Sequence, residues 1–137
     1  MRLVVLFLAI ATTVGCGETR PPLEASDVVV TRSMPGMKMS AGYLTLRNNS
    51  SDDITITSVT SPQFGSVQIH ETVVENDIAR MRKLDELVVP AGGEAVLERG
   101  GKHLMLMKAA DSGDAVTLNL YSGETLLLSI SAMKQLP

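Results

Sequence analysis

The sequence predicts an all-β fold, a Greek-key sandwich or barrel folded as one domain, and three observations lead there. From Asp27 onward short apolar stretches alternate with polar residues at period two, and no window sustains a helical apolar period. Turn formers divide the chain into seven or eight short strands. The 137 residues, less an export leader, leave roughly 120, enough to enclose one core and no second.

Taken in order, residues 1–16 read as a leader. Arg2 precedes an apolar run over 3–11, too short to span a bilayer and laid out like a secretory signal. Thr13-Val14-Gly15-Cys16 resembles a bacterial lipobox, although Thr13 stands where Leu is usual, and cleavage near Ala9-Ile10-Ala11 is the alternative. On the lipobox reading Cys16, the only Cys, becomes the acylated N-terminus, and the mature domain has no thiol. Residues 17–26, with Pro21-Pro22, read as a tether, and residues 27–137 as the folded domain.

Within that domain Gly42-Tyr43-Leu44-Thr45-Leu46-Arg47 puts Leu44 and Leu46 on one face, and Asn48-Asn49-Ser50-Ser51-Asp52-Asp53 breaks the strand. Ile54 and Ile56 resume the alternation. Further strands are expected over 66–72, 79–83, 95–98, 103–107, 115–122 and 125–132. Turns are expected at Pro62, Glu75-Asn76-Asp77, Pro90-Ala91-Gly92-Gly93, Gly100-Gly101 and Ser122-Gly123. This pattern suits sandwiches of the immunoglobulin or cupredoxin kind.

Composition excludes several functions. Aromatic residues make up 3% and Trp is absent, which leaves few rings for stacking on bases or sugars. The net charge of −3 becomes −4 for residues 17–137 once Arg2 is lost (11 basic minus 15 acidic), so nucleic acid is not the expected partner. No Cys nucleophile remains in the mature part, and no acidic pair or phosphate-cradling Gly loop stands out, so no enzyme is expected.

Chemistry concentrates on two His and a few Met residues. In Val67-Gln68-Ile69-His70 the apolar pair defines the buried face and leaves His70 beside Gln68 on the other. Along His103-Leu104-Met105-Leu106-Met107, Leu104 and Leu106 fill the core, and His103, Met105 and Met107 project outward. A hairpin around Glu75-Asn76 sets His70 directly opposite Met81, since 70 and 81 share the sum 151 with the other pairs. Opposed Cβ atoms lie about 4.5 to 5.5 Å apart, within reach of one ion. Thioethers are soft neutral donors that suit copper(I) and offer little to zinc, magnesium or calcium. Two imidazoles and two thioethers, His70, Met81, His103 and Met105, thus form the candidate copper(I) site. Such a site resists the oxidation that closes Cys pairs outside the cytoplasm, and it weakens in acid as imidazole protonates near its ordinary pKa of about 6.5.

The spacing H-x10-M-x21-H-x-M, met here by His70, Met81, His103 and Met105, resembles the PCu(A)C-type periplasmic copper chaperones. Ala41-Gly42-Tyr43-Leu44-Thr45-Leu46 with Asn48, His70-Glu71-Thr72, Met81-Arg82, Val89-Pro90-Ala91-Gly92-Gly93 and residues 100–107 agree, and the resemblance spans about residues 27–133. It implies a cupredoxin-like fold, a copper(I) site at the four matching residues, and delivery to an acceptor such as the Cu(A) centre of a respiratory oxidase. The leader and the lipobox-like Cys16 lead to the expectation of a protein in the periplasm or on the outer face of a bacterial membrane, held by a lipid anchor. Some members carry a His- and Met-rich tail, and this chain ends at Met133-Lys134-Gln135-Leu136-Pro137 without one.

Plainer readings compete at individual positions. Met133 reads as core filler, and Met107 serves equally as filler or as a neighbour of the site. For Met34, Met37 and Met39, in a loop, the preferred reading is no metal role, with an auxiliary copper contact or a docking surface as alternatives. Glu71 should point to the face opposite His70, and Arg80 and Arg82 read as solvated charges. Copper sequestration or resistance would use the same site without an acceptor, and an adhesion or scaffold module would make the ligand set accidental.

Overall fold

Eleven strands run through the residues that the computed structural model describes, 20–33, 36–110 and 113–136: β1 Leu23–Thr31, β2 Met39–Asn48, β3 Ile54–Ile56, β4 Ser58–Thr60, β5 Phe64–Glu75, β6 Ile78–Leu84, β7 Leu87–Val89, β8 Glu94–Leu97, β9 Lys102–Ala109, β10 Ala115–Ser122 and β11 Thr125–Gln135. The leader and Cys16 lie outside the described residues, as does Met34.

Nine strands form one sheet in the order β4-β10-β11-β1-β2-β9-β5-β6, with β8 beside β2, and β3 pairs β7 in a small second sheet. Strand β2 serves two partners along one edge: Met39 to Gly42 pair with β9, and Leu44 to Arg47 with β8. The sheet curls until β4 packs against β5, which encloses the core. Leu44, Leu46, Ile69, Leu104 and Leu106 meet Val116, Leu118, Leu120 and Ile130 inside, all buried. Each such side chain contributes about 1.5–3 kcal/mol by leaving water. The alternation read from the sequence therefore places Leu104 and Leu106 inward, as expected.

Two local features hold these strands together. A Cβ on Gly42 would lie 3.1 Å from Leu104 Cβ and 3.2 Å from Leu106 Cδ1, so only glycine lets β2 lie this close to β9. Fully buried Asn48 ties the strand end down. Its Nδ2 donates to the carbonyls of Asp52 (2.8 Å) and Val89 (3.0 Å), while its Oδ1 accepts from the Ser50 N–H (2.9 Å) and hydroxyl (2.6 Å). All of its amide groups are thus satisfied without water.

The structure differs from expectation in three places. Strand β1 begins at Leu23, inside the stretch read as tether, because buried Leu23 pairs with Asn48 and the strand also runs parallel to β11. Strands β4 and β7 lie outside the expected set, since three residues are too few to show a period. The third difference concerns hairpin register. Asn76 (φ 51°) and Asp77 (φ 62°) both adopt the left-handed conformation, as a two-residue type I′ turn requires. Glu75 then pairs with Ile78, and Met81 pairs with Thr72 instead of His70, whose own partner is Lys83.

Candidate metal centre

Strands β5 and β9 run antiparallel with His70 directly opposite His103, Gln68 opposite Met105 and Ser66 opposite Met107. Period two puts all six side chains on one face, away from Ile69, Leu104 and Leu106. On β6 the same face carries Met81 and Lys83, and on β2 it carries Met39 and Ala41, opposite Met107 and Met105. The corrected hairpin register shifts Met81 by two residues, which preserves its face. It stands diagonal to His70, a separation of about 7–8 Å that long side chains can span.

The two imidazoles have ring centroids 5.9 Å apart and planes tilted by 56°. His103, expected on the surface, is 7% exposed. The β8–β9 turn lies against it, and the Gly101 carbonyl accepts from both the Thr72 N–H (3.1 Å) and His103 Nδ1 (3.1 Å). A carbonyl can only accept, so His103 Nδ1 carries the proton and Nε2 keeps its lone pair. Gly100 (φ +80°) makes the turn possible, and the Arg99 guanidinium sits 5.3 Å from the centre of the Tyr43 ring.

His70 is held the other way round. Its Nε2 meets Gln68 Oε1 at 3.0 Å, which makes Nε2 the donor and leaves the lone pair on Nδ1. That Nδ1 is buried and has no hydrogen-bond partner. An unpaired buried acceptor costs about 1–3 kcal/mol, and a ligand that takes its lone pair removes the penalty. Burial, first, and then the neighbouring His103 and Lys83 hold the His70 pKa below the ordinary 6.5, so its lone pair stays free of protons in stronger acid than a solvated imidazole tolerates.

Met81, His103 and Met105 line one cavity of about 350 Å³ together with Ala41, Tyr43 and Thr72. Met81 is 59% exposed and Met105 part-buried, so this cavity opens at the β6 side. Among the described residues no three His, Cys, Asp or Glu side chains gather around one point, so no carboxylate or thiol joins the imidazole pair, and Met81 and Met105 supply the soft donors on this face. Glu71 points to the reverse face, as expected. There its Oε2 accepts from Arg82 Nε (3.1 Å) and Nη2 (2.7 Å), and Lys102 Nζ lies 3.9 Å from Oε1, so Arg82 is paired instead of merely solvated.

Sequence reasoning named the four ligand candidates and missed the two groups that orient them, Gln68 and the Gly101 carbonyl. Gln68 was legible as a neighbour on the face of His70, but nothing in a period tells which ring nitrogen it meets. A backbone carbonyl leaves no residue-type signal at all.

Residues 23–125 match the family described as "Putative lipoprotein LpqE-like". The chain is 32% identical over 114 residues to "Putative lipoprotein Lxx21020" of Leifsonia xyli subsp. xyli, an alignment covering 77% of this chain and 69% of that protein. Its fold is similar to the copper-bound PCuAC domain from PmoF2, with a TM-score of 0.69 at 18% identity over 85% of this chain and 94% of that one. It is also similar to DR1885 from Deinococcus radiodurans. The apo form gives a TM-score of 0.61 at 24% identity (99% and 93% covered), and the CuI form 0.60 at 26% (84% and 77%). The all-β, cupredoxin-like architecture and the resemblance to PCu(A)C-type proteins thus hold on the backbone as well as on the motif. Matched over three quarters of its length and carrying this fold, the chain belongs to the LpqE-like lipoprotein family.

Proposed function

We propose that this protein binds one copper(I) ion through His70, Met81, His103 and Met105 and passes it to an acceptor protein outside the cytoplasm, catalysing no reaction. One observation carries the reading: His70, with a buried, unpartnered Nδ1, has its ring centroid 5.9 Å from that of His103, on a sheet face that also bears the thioethers of Met81 and Met105. Neutral nitrogen and sulfur donors suit a soft monovalent ion. The four donors carry no charge, and Lys83 opposes His70, so the ion's charge stays uncompensated and release is easy. The solved domains with this fold include a copper-bound form and a CuI form, which supports the choice of ion.

The finer elements of the proposal follow the PCu(A)C resemblance for the acceptor and the lipobox-like residues 13–16 for the anchor. The acceptor is a Cu(A)-containing oxidase subunit, residues 1–16 are a leader, and Cys16 is lipidated so that residues ahead of β1 tether the domain to the outer face of a membrane. The family's lipoprotein description supports the anchor. Copper(I) competition against a chromophoric chelator tests the site, using the chain with Cys16→Ser so that no thiol competes. One equivalent is expected, with marked loss in His103→Ala and in Met81→Leu. Full affinity in both variants overturns the site, and failure to load an apo Cu(A) domain favours storage over delivery.

A further inference from the structure

We infer that a second site for a soft monovalent cation, built from thioethers alone, lies where the loop residue Met37 meets Met39 and Met107 of the same sheet face, with Met105 shared between it and the imidazole pair. Met39 and Met107 are direct cross-strand partners, and the next pair along is Ala41 with Met105. Beyond Met105 on β9 comes His103. The sulfurs of Met39, Met107 and Met105 and the two imidazoles thus follow one another along adjoining strands.

The side chains are poorly explained as packing. Met37 is 48% and Met39 41% exposed, and neither belongs to the core. Met37, Met39 and Met105 line a cavity of about 220 Å³ with Thr31, Ser40 and Ala41, and Met105 and Ala41 also line the cavity that holds Met81 and His103. Met105 is therefore the common wall of two adjoining cavities.

The hydroxyl oxygens at this second cavity already take part in hydrogen bonds. Thr31 Oγ1 accepts from the Ala41 N–H at 2.9 Å, and the Ser40 and Ser33 hydroxyls pair at 3.0 Å. Arg32, also at the rim, is held in an ion pair by Asp114. Three thioethers and no carboxylate line the cavity, which suits copper(I) or silver(I) better than zinc, calcium or magnesium. Without an imidazole this site binds more weakly than the first. The pocket stands without the imidazole pair, and only its role as a step toward that pair, through Met105, rests on the proposed function.

The test is silver(I) titration of the whole chain carrying Cys16→Ser and ¹³C-methyl methionine, read by NMR. The first equivalent should move the methyl signals of Met81 and Met105, and a second, weaker one those of Met37, Met39 and Met107. The Met39→Leu/Met107→Leu variant should lose the second step and keep the first. His70→Ala/His103→Ala should lose the tighter step and keep the Met39 and Met107 shifts. Movement of Met81 and Met105 alone overturns this inference and leaves the imidazole site standing. Movement of Met37, Met39 and Met107 alone supports it and overturns the imidazole site instead. Silence at all of these methyls, with the amide spectrum of a folded chain, sinks both, and makes the cluster a surface for protein contacts.

Discussion

His70 and His103 face each other across neighbouring strands with opposite ring nitrogens protonated, Nε2 on His70 against Gln68 and Nδ1 on His103 against the Gly101 carbonyl. Each imidazole is therefore set in a defined tautomer by a neighbouring oxygen that can only accept. This arrangement leaves one lone pair per ring for the face that also bears Met81 and Met105.

The tautomer argument makes Gln68 a positioning residue. Gln68→Leu keeps bulk and removes the acceptor, so the His70 proton is free to sit on either nitrogen. Copper(I) affinity should fall about tenfold, the lower end of what orienting partners of metal ligands contribute. The readout is chelator competition, with the His70 ring ¹⁵N shifts reporting the tautomer in the apo protein. Unchanged affinity and shifts would remove Gln68 from the site.

Stability of the apo protein should depend on pH through His70. Its pKa is lowered in the folded state, foremost by burial, from the 6.5 of a solvated ring. Above 6.5 both folded and unfolded chains hold it neutral, and the stabilisation from the neutral ring is fully present. As pH falls below 6.5 the unfolded chain takes up the proton first, so stability declines until the folded pKa is passed and then levels off. Urea unfolding from pH 7.5 to 5 should show this decline, and His70→Gln should flatten that part of the curve.

Met81 reaches the site only because the β5–β6 hairpin closes on Asn76 and Asp77, both left-handed. Asp77→Val puts a β-branched residue at φ 62°, which costs about 1–2 kcal/mol of stability. Affinity for copper(I) should drop as well, since the arm bearing Met81 loses its register, whereas Asp77→Gly should retain both. Thermal unfolding and the same competition assay separate these outcomes, and equal behaviour of the two variants would refute the turn's role.

Much of this was legible in the chain. Leu104 and Leu106 alternate with His103 and Met105, and that period alone assigns sides, because successive side chains of a strand must point oppositely. The error in pairing His70 with Met81 came from centring the hairpin on Glu75-Asn76. Asn76-Asp77 is the dipeptide that tolerates positive φ twice, so the better register was within reach. The burial of His103 was not, because the turn that lies against it comes from chain geometry beyond any period.

What the amino-acid order determined by itself is which residue types stand at which spacing, and so the all-β pattern, the inward leucines and the soft character of the donor set. What only tertiary structure decided is proximity and protonation: that β5 and β9 are neighbours, that Met105 borders two cavities, and that each imidazole holds its proton on a different nitrogen. The reason is physical. Periodicity acts through bonds along one strand, whereas sheet order and hydrogen-bond partners arise between segments that the covalent chain leaves far apart.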